Sequence, residues 1–299
     1  MLEITLFGPT VVVLPDGTRL TADELGGVKS RQILELLALT PGIPISKEQL
    51  AERLWDGHPP RTYLATVESY VSVLRRALHL PRGRASALAT TSRGYVLHAD
   101  RVRVDVVEVR RRLREARGGD TTARHVELAA RMAAAPLLAS DTGAEWAASE
   151  RADLCRALVD GCSRAAEQAL ADGEVDVALR LATTATDLDP LAESAVRTIM
   201  LARQASGCRA DALRAYGALR VVLAEELGLE PAPETHDVYM QVLLSQGPLG
   251  GRDPRGEARQ EVRALLGLLR QVLDSVPGME LPTADRSLAE AARSMVKVA

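Results

Sequence analysis

The stretch from Thr62 to His79, TYLATVESYVSVLRRALH, constrains the fold most, because its two faces differ sharply in character. At roughly 100° per residue, Val67, Val71, Leu74 and Leu78 lie within a narrow arc, as in an amphipathic helix. The opposite arc carries short hydroxyl side chains and one arginine, namely Thr62, Thr66, Ser69, Ser72 and Arg76, with Ala65 and Val73 between them. Such a face suits the major groove of DNA, where hydroxyls and arginine meet phosphates and base edges. The alternative is an ordinary surface helix.

Basic charge is concentrated around this predicted helix. From Arg61 to Arg93 there are six arginines and one acidic residue, Glu68, a local balance of +5 in a chain of net charge −3. Focused basic charge is what a phosphate-binding surface requires. Two interpretations of Glu68 stay open: it accepts a hydrogen bond from cytosine N4, or it lies in solvent beside the phosphates.

The neighbouring segments predict a winged helix-turn-helix. Alternating residues 2–7, followed by 11–14 and 18–20 around a Pro-Asp-Gly turn, predict a small N-terminal sheet. Helices are predicted over 29–39 and from Ser46 to Trp55, with Gln49 closing a capping box on Ser46. Two short strands, 88–91 and 94–97, then form a hairpin. A hairpin in this position is a wing, and its tip carries Arg93.

The second half is predicted to be helical. Residues 101–118 hold seven arginines and three acids, with Val102, Val106, Val109 and Leu113 on one face, which predicts a basic amphipathic helix. Its arginines either add DNA-backbone contacts or form the solvated face of a packed helix. From residue 119 to the end the charge balance is −8, so this half is not expected to bind DNA by itself.

A repeat organises this half. Gly173, Ala178, Leu179 and Arg180 recur 34 residues later as Gly207, Ala212, Leu213 and Arg214. That spacing is the tetratricopeptide period, in which each helical hairpin buries a face on the next. The scaffold either offers a surface to a protein partner or only stabilises the protein.

The domain prediction divides the chain into four parts. A winged helix-turn-helix domain occupies 1–100, and a tetratricopeptide-like all-α domain occupies 101–246, so the fold class is mainly α with a small β portion. A Gly- and Pro-rich linker is predicted at 247–256, followed by a helical extension at 257–299. The apolar stripe of that extension either docks back on the helical domain or pairs with a second copy.

The run from Lys29 to Leu97 resembles the DNA-binding domain of the Streptomyces antibiotic regulatory proteins, a branch of the OmpR-like winged helices. The matching pieces are Lys29-x-Arg31-x-x-Leu34-x-x-Leu37, Ser46-x-x-x-Leu50-x-x-x-Leu54-Trp55, Pro60, Tyr70-Val71-Ser72-x-Leu74-Arg75-x-x-Leu78 and Gly94-Tyr95-x-Leu97. Further matches resemble the bacterial transcriptional activation domain that follows in this family, namely Asp105, Trp146, Arg151, Asp189-Pro190-Leu191-x-Glu193, Ala212-Leu213-x-x-Tyr216 and Glu226-Leu227-Gly228-x-x-Pro231. One departure is Ser92-Arg93, where relatives commonly have a proline before Gly-Tyr.

The resemblance implies roles for individual residues. The readers in the major groove would be Thr62, Thr66, Ser69, Ser72 and Arg76. Trp55, Arg61 and Arg75 would contact the DNA backbone, and Arg93 would reach the minor groove. The family also implies a transcriptional activator of antibiotic biosynthesis that binds direct repeats in double-stranded DNA, with a homodimer on DNA as one arrangement. It would recruit RNA polymerase holoenzyme, including its sigma factor.

The sequence carries few signals of catalysis. Phosphate-binding loops, paired-histidine metal motifs and nucleophile elbows are absent, so we expect no enzyme, cofactor or metal. An apolar run long enough for a membrane and a secretory leader are also absent, which predicts a cytoplasmic protein. The rival hypotheses are a repressor that uses the same DNA-binding domain without recruiting polymerase, and a repeat-protein adaptor that has lost DNA binding.

Overall fold

The computed structural model describes residues 1–81, 83, 86–116 and 122–245. The predicted linker at 247–256 and the predicted helical extension at 257–299 lie outside them. Arg82 and Arg84, two of the six arginines counted between Arg61 and Arg93, also lie outside the described residues.

Helices dominate this part of the chain, and the strands are short. The strands are β1 (Leu2–Thr5), β2 (Val11–Val13), β3 (Arg19–Leu20), β4 (Leu88–Thr91), β5 (Gly94–Leu97) and β6 (Val102–Val104). A 3-10 helix (Ala22–Leu25) precedes the helices of the first half, which are α1 (Val28–Leu39), α2 (Lys47–Leu54) and α3 (Tyr63–Ala77). The second half contains α4 (Asp105–Glu115), α5 (Thr122–Met132), α6 (Glu145–Ala171), α7 (Val175–Leu188), α8 (Glu193–Ala205), α9 (Arg209–Leu227) and α10 (Pro233–Leu244). The predicted fold class is confirmed: a winged helix-turn-helix with a small β portion precedes an all-α repeat region.

The N-terminal sheet contains one strand that the sequence did not predict. The strand order is β3-β2-β1-β6, with β6 parallel to β1 and Ile4 opposite Val104. Residues 101–104 were expected in the helix that follows, and that expectation is wrong, because α4 begins only at Asp105. Val102 and Val104 alternate with an exposed arginine, so both valines enter the core, as a strand requires.

Helix α3 packs on α1 and α2 through the predicted stripe. Val67, Val71, Leu74 and Leu78 are at most 2% exposed, which confirms the inward face inferred from periodicity. The predicted capping box at the start of α2 is also present. The Ser46 hydroxyl accepts from the Gln49 amide at 3.1 Å, and the Gln49 side chain accepts from the Ser46 amide at 3.1 Å.

Hydrogen bonds to the Asp105 side chain join the two halves at the start of α4. The Asp105 carboxylate accepts the amide of Leu6 at 2.9 Å and that of Phe7 at 3.1 Å. Burial raises the pKa of Asp105, and these amide hydrogen bonds oppose that rise. Phe7 also forms an antiparallel bridge with Leu137. Residues 1–245 form one compact unit, and the domain boundary near residue 100 stays a prediction.

A buried polar cluster makes a second connection between the halves. Arg31 of α1 donates to both carboxylate oxygens of Asp141, at 3.2 and 3.1 Å, and its Nε lies 3.2 Å from Glu35 Oε1. Gln32 donates to Asp141 at 2.6 Å, and the Thr10 hydroxyl donates to Glu35. Burial, and then the neighbouring Asp141, raise the pKa of Glu35 to about 8. Two carboxyl groups therefore share one guanidinium, and Glu35 holds a proton near neutral pH.

The repeat region is built as the sequence period indicates. Gly173 and Gly207 have positive φ angles of 81° and 73° just before α7 and α9, and the corresponding residues Ala178 and Ala212 are fully buried. Each helix from α6 to α9 packs against its successor. The apolar core of the first half continues through this region to Ala195, and a second cluster holds α8, α9 and α10 together.

The arginines of α4 are largely paired within the protein. Arg110 contacts Glu150 at 2.6 Å, while Arg111 and Arg112 contact Glu108 at 2.6 and 2.8 Å. The opposite side of α4 is buried through Val106, Val109 and Leu113. These ion pairs favour the interpretation of α4 as a packed helix with a solvated face.

Glu35→Gln tests the buried cluster through the pH dependence of stability. In the unfolded chain Glu35 titrates near its ordinary value of 4.5, whereas in the folded protein its pKa is raised to about 8. Its contribution to the unfolding free energy is therefore fully present below pH 4.5 and is lost as the pH rises through 8. The variant cannot titrate at this position. We expect its unfolding free energy to fall less steeply over this window, by on the order of 1 kcal/mol per pH unit.

Urea unfolding at several pH values measures this slope. Glu52→Gln, at an exposed position on α2, is the matched control and is expected to keep the slope of the unsubstituted protein. Equal slopes for the two variants would contradict the assignment of the proton to Glu35.

Candidate nucleic-acid interface

The outward face of α3 presents the predicted reading residues unequally. Thr62, Ser69 and Arg76 are exposed, whereas Thr66 and Ser72 are half-buried. The Thr66 hydroxyl donates to the Thr62 carbonyl at 3.0 Å, and the Ser72 hydroxyl donates to the Glu68 carbonyl at 2.9 Å. Each hydroxyl uses its proton in this hydrogen bond, so what it can offer a base is an acceptor, which suits the amino groups of adenine or cytosine.

Two residues near this face are engaged with the protein itself. A Cβ added to Gly26 would lie 2.3 Å from Val73 Cγ1, so Val73 packs beside the end of the 3-10 helix. Val73, which the helical spacing placed between the reading residues, therefore has a contact within the protein. Glu68 is 54% exposed and pairs with Lys47 of α2, and this hydrogen bond raises the pKa of Lys47. The pair favours the interpretation in which Glu68 lies in solvent.

Trp55 lies where α1, α2 and α3 meet. Its ring is half-buried and stacks on Tyr70 of α3, with centroids 6.4 Å apart. The Lys29 ammonium lies 5.8 Å from the centroid of the Trp55 ring and donates to the Leu54 carbonyl. These contacts give Trp55 a packing role at the end of α2. Its contact with the DNA backbone stays a prediction, as does that of the exposed Arg61.

The wing is the two-stranded hairpin of β4 and β5. Thr91 pairs with Gly94, so Ser92 and Arg93 alone form the turn, and both are exposed. The Thr91 hydroxyl accepts from the Arg93 amide and donates to the Gly94 carbonyl, both at 3.2 Å. Side-chain and backbone bonds therefore close this turn without the proline common in relatives.

The base of the wing is held by the segment that precedes α2. Ile45 and Tyr95 exchange two backbone hydrogen bonds, at 2.8 and 2.9 Å. Gly94 has a φ of 129°, and a Cβ there would lie only 2.0 Å from the Ile45 carbonyl oxygen. Only glycine lets the two backbones approach this closely.

Arg75 contacts the wing, whereas Arg76 and Arg93 are exposed. Its guanidinium donates to the Leu88 carbonyl at 3.1 and 3.0 Å and to the Thr90 hydroxyl at 2.9 Å. The sequence placed Arg75 with the phosphate-contacting residues, because adjacent arginines cannot be distinguished before the position of the wing is known. Its phosphate contact stays a prediction, and its contact with the wing was missed.

Other kinds of site find no support within the described ranges. Residues 1–116 and 122–245, as far as they are described, contain no group of three or more His, Cys, Asp or Glu side chains that could hold a metal ion. That same part of the chain has no helix whose length and hydropathy would let it span a bilayer.

Comparison with known proteins agrees with this architecture. Residues 25–97 match the model described as "Transcriptional regulatory protein, C terminal", and residues 99–243 match the "Bacterial transcriptional activator domain". The chain is 28% identical to the transcriptional regulatory protein MoaR1 of Mycobacterium tuberculosis, over 85% of this chain and 84% of that protein. It is 26% identical to the regulatory protein DnrI of Streptomyces peucetius, over 87% and 99% respectively.

A solved structure shares the fold. Mycobacterium tuberculosis EmbR, in complex with a low-affinity phosphopeptide, superposes with a TM-score of 0.68 at 24% identity, over 90% of this chain and 71% of that chain. Fold and family models together define a DNA-binding transcriptional activator with a winged helix and an activator domain. The chain belongs to the Streptomyces antibiotic regulatory protein family, whose members are transcriptional regulators and not enzymes.

Gly94→Ala tests the close approach between the wing and Ile45. The added methyl group must displace backbone atoms, so we expect the unfolding free energy to fall by about 3 kcal/mol, as overpacking against a fixed neighbour does. Gly17→Ala is the matched control, because Gly17 has a φ of 87° with nothing within 4 Å of the added carbon. That control is expected to lose only about 1 kcal/mol from backbone strain. Equal losses in chemical unfolding would contradict a steric role for Gly94.

Proposed function

We propose that α3 and the wing read a specific DNA sequence, with α3 in the major groove and Arg93 in the adjacent minor groove. The proposal rests on one observation: the outward face of α3 and the tip of the wing are both exposed in the same folded domain. The hydroxyl residues and Arg76 lie on the outward face of α3, and Arg93 lies exposed at the tip of a wing anchored to the segment that precedes α2. In this arrangement phosphate contacts fix the register, and base contacts specify the sequence.

The site comprises the nine residues named from the sequence: Trp55, Arg61, Thr62, Thr66, Ser69, Ser72, Arg75, Arg76 and Arg93. Thr62, Ser69 and Arg76 are the direct readers, because they are the exposed members of the α3 face. Thr66 and Ser72 act as acceptors at its margin. Arg61 precedes α3 in an exposed position suited to the phosphates.

The helical half is proposed to recruit RNA polymerase holoenzyme, including its sigma factor, to the promoter. Its match to an activator domain supports this role, and its excess of acidic residues argues against DNA as its own partner. We further propose that the protein acts in the cytoplasm on direct repeats upstream of antibiotic-biosynthesis genes. That part of the proposal is supported by family membership and by the similarity to DnrI along almost its whole length.

Arg76→Ala tests the reading face. If Arg76 brackets a guanine, its loss should weaken binding to the specific site by about 1 to 3 kcal/mol and leave nonspecific binding nearly unchanged. Arg93→Ala should weaken specific and nonspecific binding alike and flatten the dependence on salt. Arg156→Ala removes an exposed arginine from α6 and is the charge-matched control. Unchanged affinity and specificity in Arg76→Ala would contradict the assignment of this face.

Footprinting on the promoter DNA tests the arrangement of sites. Two protected half-sites in the same orientation, about one helical turn apart on one face of the duplex, are expected for direct repeats. An inverted repeat would contradict head-to-tail binding and would favour a twofold homodimer.

Transcription reconstituted from purified polymerase holoenzyme tests recruitment. The intact chain is expected to raise transcript yield from a promoter that carries its sites, while the Arg76→Ala variant should not. Specific binding without a rise in transcript would contradict recruitment and favour a repressor.

A further inference from the structure

Arg75 connects α3 to both strands of the wing. It lies in the last turn of α3 and is half-buried. Its Nε and Nη2 converge on the Leu88 carbonyl of β4, and Nη2 also donates to Thr90 on the same strand. The guanidinium carbon lies 5.8 Å from the centroid of the Tyr95 ring, which belongs to β5. One side chain therefore contacts both strands.

We propose that Arg75 is a positioning residue for DNA recognition, which fixes the wing relative to α3 so that Arg93 reaches the groove next to the one that α3 occupies. This inference rests on the proposed function. It gives Arg75 a different task from the exposed Arg76 and Arg93, although all three are arginines within one basic segment.

The geometry of the hairpin explains why such a contact is needed. In the two-stranded sheet, β5 is held to the protein backbone through the Ile45–Tyr95 bridge. Strand β4 pairs with β5 along one edge, and Arg75 reaches the carbonyl and hydroxyl groups of β4 from α3. The wing is thus bound through the backbone of β5, while β4 is held by the burial of Leu88 and by the polar contacts of Arg75.

The chemistry of arginine suits this task. Two N–H groups directed at one carbonyl, with a third contact to a hydroxyl, fix the plane of the guanidinium as well as its distance. The aromatic ring adds an attraction to the cation. A wing held in its binding position before the encounter loses less conformational freedom when DNA binds. A lysine could supply the charge but could not reproduce the fork.

A double-mutant cycle between Arg75 and Arg93 tests the proposal. We expect Arg93→Ala to reduce affinity for the specific DNA roughly tenfold in the unsubstituted protein, as the loss of one arginine contact does. In the Arg75→Ala background the same change should cost less than about twofold, because the misplaced wing no longer delivers Arg93 to the groove. Equal losses in the two backgrounds would overturn the proposal and make Arg75 an independent phosphate contact.

Arg75→Lys separates position from charge. If Arg75 fixes the wing, the lysine variant should show the same lost coupling to Arg93 as the alanine variant. A lysine variant with normal affinity and normal coupling would overturn the proposal, because a simple phosphate contact needs only the charge. The cycle between Arg76→Ala and Arg93→Ala is the matched control, and these two losses should add.

Footprinting and the Thr90→Val variant distinguish a displaced wing from a general loss of folding. In Arg75→Ala, minor-groove protection at the wing should disappear while major-groove protection by α3 remains; loss of both together would overturn the proposal.

Thr90→Val removes one hydrogen bond from an exposed position and leaves α3 intact. It should weaken the coupling to Arg93 in part, and unaltered coupling would count against the proposal even if Arg75→Ala failed to fold. Absence of specific binding by the unsubstituted chain would instead overturn the proposed function itself.

Discussion

The contact between Arg31 and Asp141 is the constraint on which the arrangement of the two halves depends. Arg31 lies on α1, against which α3 packs, and Asp141 precedes the first helix of the repeat region. Both side chains are nearly inaccessible to solvent, so breaking the pair would leave an uncompensated charge in the interior. The pair therefore ties the helical half to α1, the helix on which α3 packs.

Four arginines of the first half illustrate how the fold assigns different tasks to one residue type. Arg31 joins the two halves from a buried position, and Arg75 contacts the wing. Arg76 and Arg93 are exposed on the proposed DNA-facing surface. Arg75 is engaged with the wing, so the local charge of the sequence overstates the charge that is exposed for phosphates.

Local periodicity was enough to predict α3, the wing and the repeat, because each depends on neighbours close in sequence. It failed where distant residues decide the structure. Val102-Arg103-Val104 is a strand only because β1 lies beside it, and three residues carry too little pattern to outweigh the helix that follows. The burial of Arg31 had one available signal, since it lies in a helix that is otherwise mostly apolar. Its partner, 110 residues later, could not be identified from sequence.

The most direct test of the central claim is a binding titration of the intact chain. DNA from its own genomic neighbourhood is titrated at several salt concentrations, with an excess of random competitor. Tight binding that resists the competitor, with a steep fall in affinity as salt rises, is the result expected of a winged helix that reads sequence through phosphate and base contacts. Binding that random DNA abolishes equally would contradict sequence reading by α3 and the wing.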